Sequence, residues 1–283
     1  MGDALTNGVR VKEAIRDAAQ RLSATSDTAR LDAEVLMAHA LGVTRSDLLL
    51  RRMDDLVPDG FAALVDRRAT CEPVAYILGQ QEFYGRTFAV DANVLIPRAD
   101  SESVVEAALA AMPNPARVLD CGTGSGALLL TVLAERPRAH GIGIDSSPGA
   151  LAVARGNATS LGLADRAEMR VADWHHAGWA AALGTFDLVL ANPPYVESDA
   201  ALDASVSEFE PHAALFAGPD GLDDYRVLIP QLPGLLAPGG VAVLEIGATQ
   251  AEAVCKIAAQ DGFVAQRRND LAGRPRAIVL RQP

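Results

Sequence analysis

The chain has 283 residues, 49% apolar and 22% charged, a balance that supports a sizeable buried core and excludes disordered and collagen-like architectures. Its formal net charge of −11 speaks against a dedicated nucleic-acid binder, because phosphate contacts need surplus Lys and Arg. No stretch approaches the ~18 consecutive apolar residues of a membrane span, the opening residues lack the apolar core of a secretory signal, and Cys71, Cys121 and Cys255 fit neither a disulfide framework nor a zinc site. A cytoplasmic protein with no membrane, metal or direct nucleic-acid partner is expected.

In chain order, Val11, Ile15, Ala18, Ala19 and Leu22 recur at helical spacing, as do Leu31, Val35, Ala38 and Leu41. A third helix through Phe61, Leu64, Val65 and Arg68 fits between Pro58 and Pro73. These segments predict a small all-helical domain over residues 1–72. Over residues 73–98, Phe83, Tyr84 and Phe88 around Gly85 alternate as a β-hairpin does, and this stretch reads as a linker. From residue 99 to 283 strands alternate with helices. Strands are expected at 117–121, 140–145, 168–172, 186–191 and 240–246, and helices at 126–135, 148–161, 222–236 and 248–260. The chain then ends in a strand pair at 263–268 and 276–281. The fold class is α/β, a Rossmann-like doubly wound sheet with a small N-terminal helical domain joined by a hairpin, and its ligands belong at the strand carboxyl ends.

The first expected strand runs into Asp120-Cys121-Gly122-Thr123-Gly124-Ser125-Gly126. Glycines between a strand and a helix let backbone approach a ligand and lead its anionic part to the helix N-terminus. The spacing is G-x-G-x-G rather than the G-x-G-x-x-G of dinucleotide binders. Asp120 would repel a pyrophosphate but suits a cofactor carrying an ammonium and a sulfonium. The next strand ends in Asp145, placed to accept from two ribose hydroxyls, and the third ends at Asp173-Trp174, where an adenine would be bracketed. S-adenosyl-L-methionine satisfies all three.

The fourth strand is followed by Asn192-Pro193-Pro194-Tyr195. A planar amide or ring-amine nitrogen is a poor nucleophile because its lone pair is delocalised. The Asn192 side-chain oxygen and the Pro193 carbonyl would accept both N–H protons of one NH₂ group and aim the lone pair at the methyl group. Pro193 and Pro194 stiffen the loop that presents these acceptors, and Tyr195 would stack on the flat substrate group. No general base is needed, since the methylated cationic nitrogen is acidic.

D-x-G-x-G-x-G with N-P-P-Y resembles the amino-methylating branch of the class I methyltransferases. Further segments are similar to the HemK family, the peptide chain release factor glutamine methyltransferases: EPVAYILGQQEFYG (72–85), LIPRADSE (95–102), ANPPYV (191–196), EFEPHAALFAGPDGLDDYR (208–226), LEIG (244–247) and NDLAGRPR (269–276). The resemblance implies methylation of the glutamine side-chain amide in the Gly-Gly-Gln tip of class 1 release factors, in translation termination. It also implies that Gly122, Thr123, Gly124, Ser125 and Gly126 line the methionine half of the cofactor, that Asp145 holds the ribose, and that Trp174 meets the adenine. Asn192, Pro193, Pro194 and Tyr195 would then form the glutamine pocket, and the helical head would dock the release factor. Ala99 and Ser101 stand where the family more often has Pro and Thr, and Cys121 replaces a usual apolar residue. Three rivals remain: glutamine methylation of a ribosomal protein, adenine-N6 methylation, and a non-catalytic cofactor-binding module.

Other residues carry less. His175 and His176 read as solvent-exposed, and Cys121 as a small buried filler. The connection from Pro193 to Gly221, roughly 30 residues, is long enough to be functional. Glu210 within it is expected to pin the loop, and Arg98 to brace the cofactor site. Residues 220–224 read as a solvated, acidic helix N-terminus.

Overall fold

The computed structural model describes residues 8–283. They fall into two compact units, one ending at Gly79 and taking in Asp203–Phe209, the other comprising Gln80–Leu202 and Glu210–Pro283.

In the helical unit, α1 (Val11–Leu22) buries Val11, Ile15, Ala18 and Leu22, the stripe its spacing predicts. The next helix, α2 (Ala29–Leu41), buries Ala38 of the expected stripe but centres its inward face elsewhere. Leu31 is 44% exposed, whereas Ala33, Leu36 and Met37 are buried together with Asp32 and Glu34. The acids tolerate burial because they are paired: Arg68 Nε donates to Asp32 at 2.7 Å, and Arg30 and Arg45 both donate to Glu34. Arg68 comes from α3 (Phe61–Ala69), which also supplies Phe61 and Val65 to the core. Residues 73–79, expected in the hairpin, instead form α4 (Val74–Leu78), closed by Gly79 in a left-handed conformation, and Ile77 joins the helical core.

The second unit begins with the expected hairpin, β1 (Gln80–Phe83) and β2 (Arg86–Ala89), with Phe83 against Phe88 edge to face. Its seven-stranded sheet has the order β5-β4-β3-β6-β7-β9-β8. The strands are β3 (Arg117–Cys121), β4 (His140–Asp145), β5 (Ala167–Val171), β6 (Phe186–Ala191), β7 (Leu236–Glu245), β8 (Val264–Asn269) and β9 (Pro275–Arg281). The first five pair in parallel, and β9 runs antiparallel to both β7 and β8. Alternate residues divide between two apolar layers: Val118, Leu188, Leu190 and Val243 face one, Leu119, Val189, Ala191 and Leu244 the other. On the first face lie α5 (Glu102–Ala111), α6 (Ala127–Glu135) and α7 (Pro148–Ser160). On the second lie α8 (Asp223–Leu228) and α9 (Ala251–Gln260). The sheet is therefore doubly wound, as the alternation of elements predicts.

Three elements differ in extent, and the helix expected over 248–260 starts only at Ala251. The helix expected over 222–236 stops at Leu228 and continues as a tighter turn, Ile229–Gly234, where Pro230 and Pro233 offer no N–H to an α-helical ladder. Strand β7 starts four residues early, past a register shift opposite Phe186 and Leu188. No helix among the described residues is long and apolar enough to cross a membrane.

Removing Arg68 leaves Asp32 buried with only the Ser26 and Thr28 hydroxyls as donors. Arg68→Ala is expected to destabilise the helical unit by about 3 kcal/mol, read from the urea midpoint of its unfolding transition. A change under 1 kcal/mol would show that the hydroxyls alone satisfy the carboxylate.

Candidate active site

The crevice at the carboxyl ends of β3 and β6 is the point where strand order reverses, and there the glycine loop leaves β3. Gly122 N and Thr123 N both donate to the Ile144 carbonyl of β4, at 2.9 and 2.8 Å. Gly122 has φ +73°, and a Cβ there would lie 3.1 Å from the Trp174 ring, so glycine lets the indole lie against the loop. Asp145 accepts from Gly124 N at 3.0 Å through one oxygen and from Ser147 N at 2.9 Å through the other. Burial raises its carboxyl above the ordinary range despite these donors.

Asp120 is buried beneath the loop. Its Oδ2 accepts from Thr123 Oγ1 at 2.7 Å, while Oδ1 has no partner among the described residues. Burial pushes this carboxyl up to about 7. Above the loop opens a cavity of about 610 Å³, lined by Asp120, Gly122, Thr123, Gly124, Ser125, Asp145, Asp173, Trp174, Asn192 and Pro194 among others. Most of the expected site residues thus meet at one cavity. The carboxylate of Asp173 is already held by His175 and His176, both exposed, and His175 also lines the cavity. The Asn192 side chain makes no hydrogen bond among the described residues and so keeps both its donor and acceptor capacity.

Three expected site residues sit outside that lining. Gly126 starts α6 from beneath, Pro193 is buried, and Tyr195 points its hydroxyl to Glu245 Oε1 at 3.3 Å. Tyr195 is therefore set to brace the loop rather than to stack in the cavity, because its phenol is sequestered against the β7 end. Burial and the neighbouring Glu245 push that phenol up. Asp224, expected in solvent, is buried, lines the cavity and accepts from Trp174 Nε1 at 2.9 Å, fixing the indole. Phe216, not singled out by the sequence, also lines it, as does Ser101, one of the positions that depart from the family pattern. Glu210 behaves as expected: it is buried, accepts from Ile96 N at 3.0 Å and pairs with Arg98, tying the long connection to the segment before α5.

Residues 13–79 match the model of the PrmC N-terminal domain, and residues 114–245 match a methyltransferase domain. A release factor glutamine methyltransferase of Cereibacter sphaeroides is 44% identical over 97% of this chain and 99% of its own length. The chain belongs to that family. A second member, from Bradyrhizobium diazoefficiens, is 42% identical over 97% of this chain and 96% of its own length. A methyltransferase structure from Pyrococcus furiosus, 14% identical, shares the fold with a TM-score of 0.50 over 70% of this chain and 89% of its own.

Family members of this kind depend on S-adenosylmethionine, and the residues present fit it. The unpartnered Asp120 Oδ1 is a buried acceptor beside the cavity, suited to a cationic group, and each Asp145 oxygen retains a lone pair for a ribose hydroxyl. Asp120 with the glycine loop would hold the methionine half, Asp145 the ribose, and Trp174 with Asp173 the adenine. A cationic ligand selects the ionised form of Asp120. Affinity should therefore rise as pH passes upward through about 7 and be lost below it. Titration calorimetry between pH 6 and 8 is expected to show the native affinity tightening roughly fivefold more than that of Asp120→Asn. Parallel slopes for the two proteins would remove Asp120 from cofactor binding.

Proposed function

We propose that the protein transfers the methyl group of S-adenosylmethionine to the side-chain amide nitrogen of the glutamine in the Gly-Gly-Gln motif of class 1 peptide chain release factors, in the cytoplasm. The observation that carries this reading is Asn192, with no partner among the described residues, on the rim of the same cavity as the glycine loop and Asp145. Bound S-adenosylmethionine supplies an electrophilic methyl group at its sulfonium. The chain's own part is to present the acceptor nitrogen. The Asn192 side-chain oxygen, on the cavity, and the carbonyl of the next residue, Pro193, which lies just behind the lining and is reached as the substrate enters, are the two acceptors for its N–H groups, which weakens amide conjugation and frees the lone pair. Pro193 and Pro194 fix the backbone that carries them, so little ordering remains to be done when substrate enters.

No side chain need act as a base, since the N-methylated amide is strongly acidic until it gives its proton to water. Rate enhancement then comes from orientation and from acceptors already in place. The helical unit is the part assigned to release-factor docking, and a net charge of −11 fits a protein substrate better than a nucleic acid.

Native enzyme, cofactor and a purified class 1 release factor should give one added methyl on the Gly-Gly-Gln glutamine by peptide mass spectrometry. Asn192→Ala is expected to lower kcat about 10²–10³-fold while cofactor affinity stays within a few fold. Methylation at any other residue, or native-like turnover by the variant, would overturn the assignment.

A further inference from the structure

Gln250 lies between β7 and α9 in a segment with no sequence feature that marks it, yet its amide joins three parts of the site. Its Oε1 accepts from Gly247 N at 3.0 Å. Its Nε2 donates to the Tyr195 carbonyl at 2.9 Å and to the Gly221 carbonyl at 3.1 Å. Tyr195 ends the N-P-P-Y segment, Gly221 ends the long connection from β6, and Gly247 follows β7. The space is shaped for this side chain. A Cβ at Gly221 would lie 2.3 Å from the Tyr195 carbonyl oxygen and 2.7 Å from Gln250 Nε2, and one at Gly247 would lie 2.8 Å from Gln250 Oε1. Both Nε2 protons and one Oε1 lone pair are therefore used, and a side chain at either glycine would collide with the amide that makes these bonds.

The N–H side of this segment is held elsewhere, since Tyr195 N and Val196 N both donate to the Leu215 carbonyl. On the carbonyl side Val196 O accepts from Ala217 N at 2.9 Å, whereas the Tyr195 carbonyl is held by Gln250. Because two prolines separate Tyr195 from Asn192, the path between them has little torsional freedom, and fixing the Tyr195 carbonyl fixes the Pro193 carbonyl and the root of Asn192. We propose that Gln250 is a positioning residue that clamps the Tyr195 carbonyl and thereby sets the two acceptors for the substrate amide. The proposal rests on the reading of Asn192 and Pro193 given above.

Two variants test it. Gln250→Met keeps the length and removes all three hydrogen bonds. Gln250→Glu keeps the shape and the acceptor for Gly247 N, but its carboxylate turns acceptor atoms toward two carbonyls. Each is assayed per folded site, counted by cofactor binding, so that loss of folded protein does not enter. The amide protons of Tyr195 and Val196 are expected to exchange at least about tenfold faster in both variants, with those of the glycine loop unchanged. The kcat for release-factor methylation should fall about tenfold to a hundredfold, with the release-factor KM and the cofactor Kd within threefold of native. Unchanged exchange, unchanged kcat, or a matching loss of cofactor affinity would each overturn the clamp. Exchange needs no substrate. If the native enzyme left the release factor unmethylated, the functional reading would fall while the exchange rates still decided the role of Gln250.

Discussion

The site depends on the parallel register of β3 with both its neighbours. Cys121 lies opposite Ile144 on one side and Ala191 on the other, so three strands end at one level. Gly122, Asp145 and Asn192 follow at once and share a rim. What holds the register is steric. Gly141 and Gly143 of β4 face the first apolar layer, where a Cβ would lie 2.5 Å from Leu129 and 2.8 Å from both Met169 and Thr123. A one-residue slip would drive Ile142 or Ile144 into those spaces and turn the wrong face of every β4 residue toward α6. The register that packs the sheet is thus also the one that assembles the cavity.

Around that cavity the charges are arranged for a cation. Asp120, Asp145 and Asp224 are each held above the ordinary carboxylate range by burial, and all three line it. Their donors come from the site itself: the Thr123 hydroxyl, the amides of Gly124 and Ser147, and the Trp174 indole. Each carboxyl is therefore tied to the loop or ring that would touch the cofactor, and ligand electrostatics and loop geometry are set by the same contacts. Burying such groups costs stability in the empty protein, and a cationic ligand offsets part of that cost.

How much of this could be read in advance follows from how local each signal is. The strands, the hairpin turn at Tyr84-Gly85, the glycine loop and N-P-P-Y are legible because alternation and Gly/Pro punctuation act over a few residues. The buried face of α2 was not, since Asp32 can be inside only because Arg68 arrives 36 residues later. Burial of Asp224 is hidden from the sequence for the same reason: its partner Trp174 lies 50 residues upstream. The role of Tyr195 as a brace depends on Glu245, again 50 residues away. Burial of a polar side chain is decided by its partner, and a single sequence does not reveal partners brought together by the fold.

Two of the residues that hold the loops in place are amides. Asn157 on α7 is buried, accepts from Ala89 N at 2.7 Å, and donates to the carbonyls of Ala89 and Ser125, so it joins the hairpin to the glycine loop. Gln250 joins β7 to both ends of the long connection in the same manner. A side-chain amide offers an acceptor and two donors from one flat group, which is what irregular backbone with loose N–H and C=O groups needs. It is also uncharged. An Arg or Lys in either place could satisfy the carbonyls but would add positive charge near a cavity whose carboxylates serve a cationic ligand, and an Asp or Glu would set acceptor against acceptor. The amides thus hold the loops flanking the reacting groups without adding charge, and the charge of Arg98, which does line the cavity, is offset by the buried Glu210 that it meets.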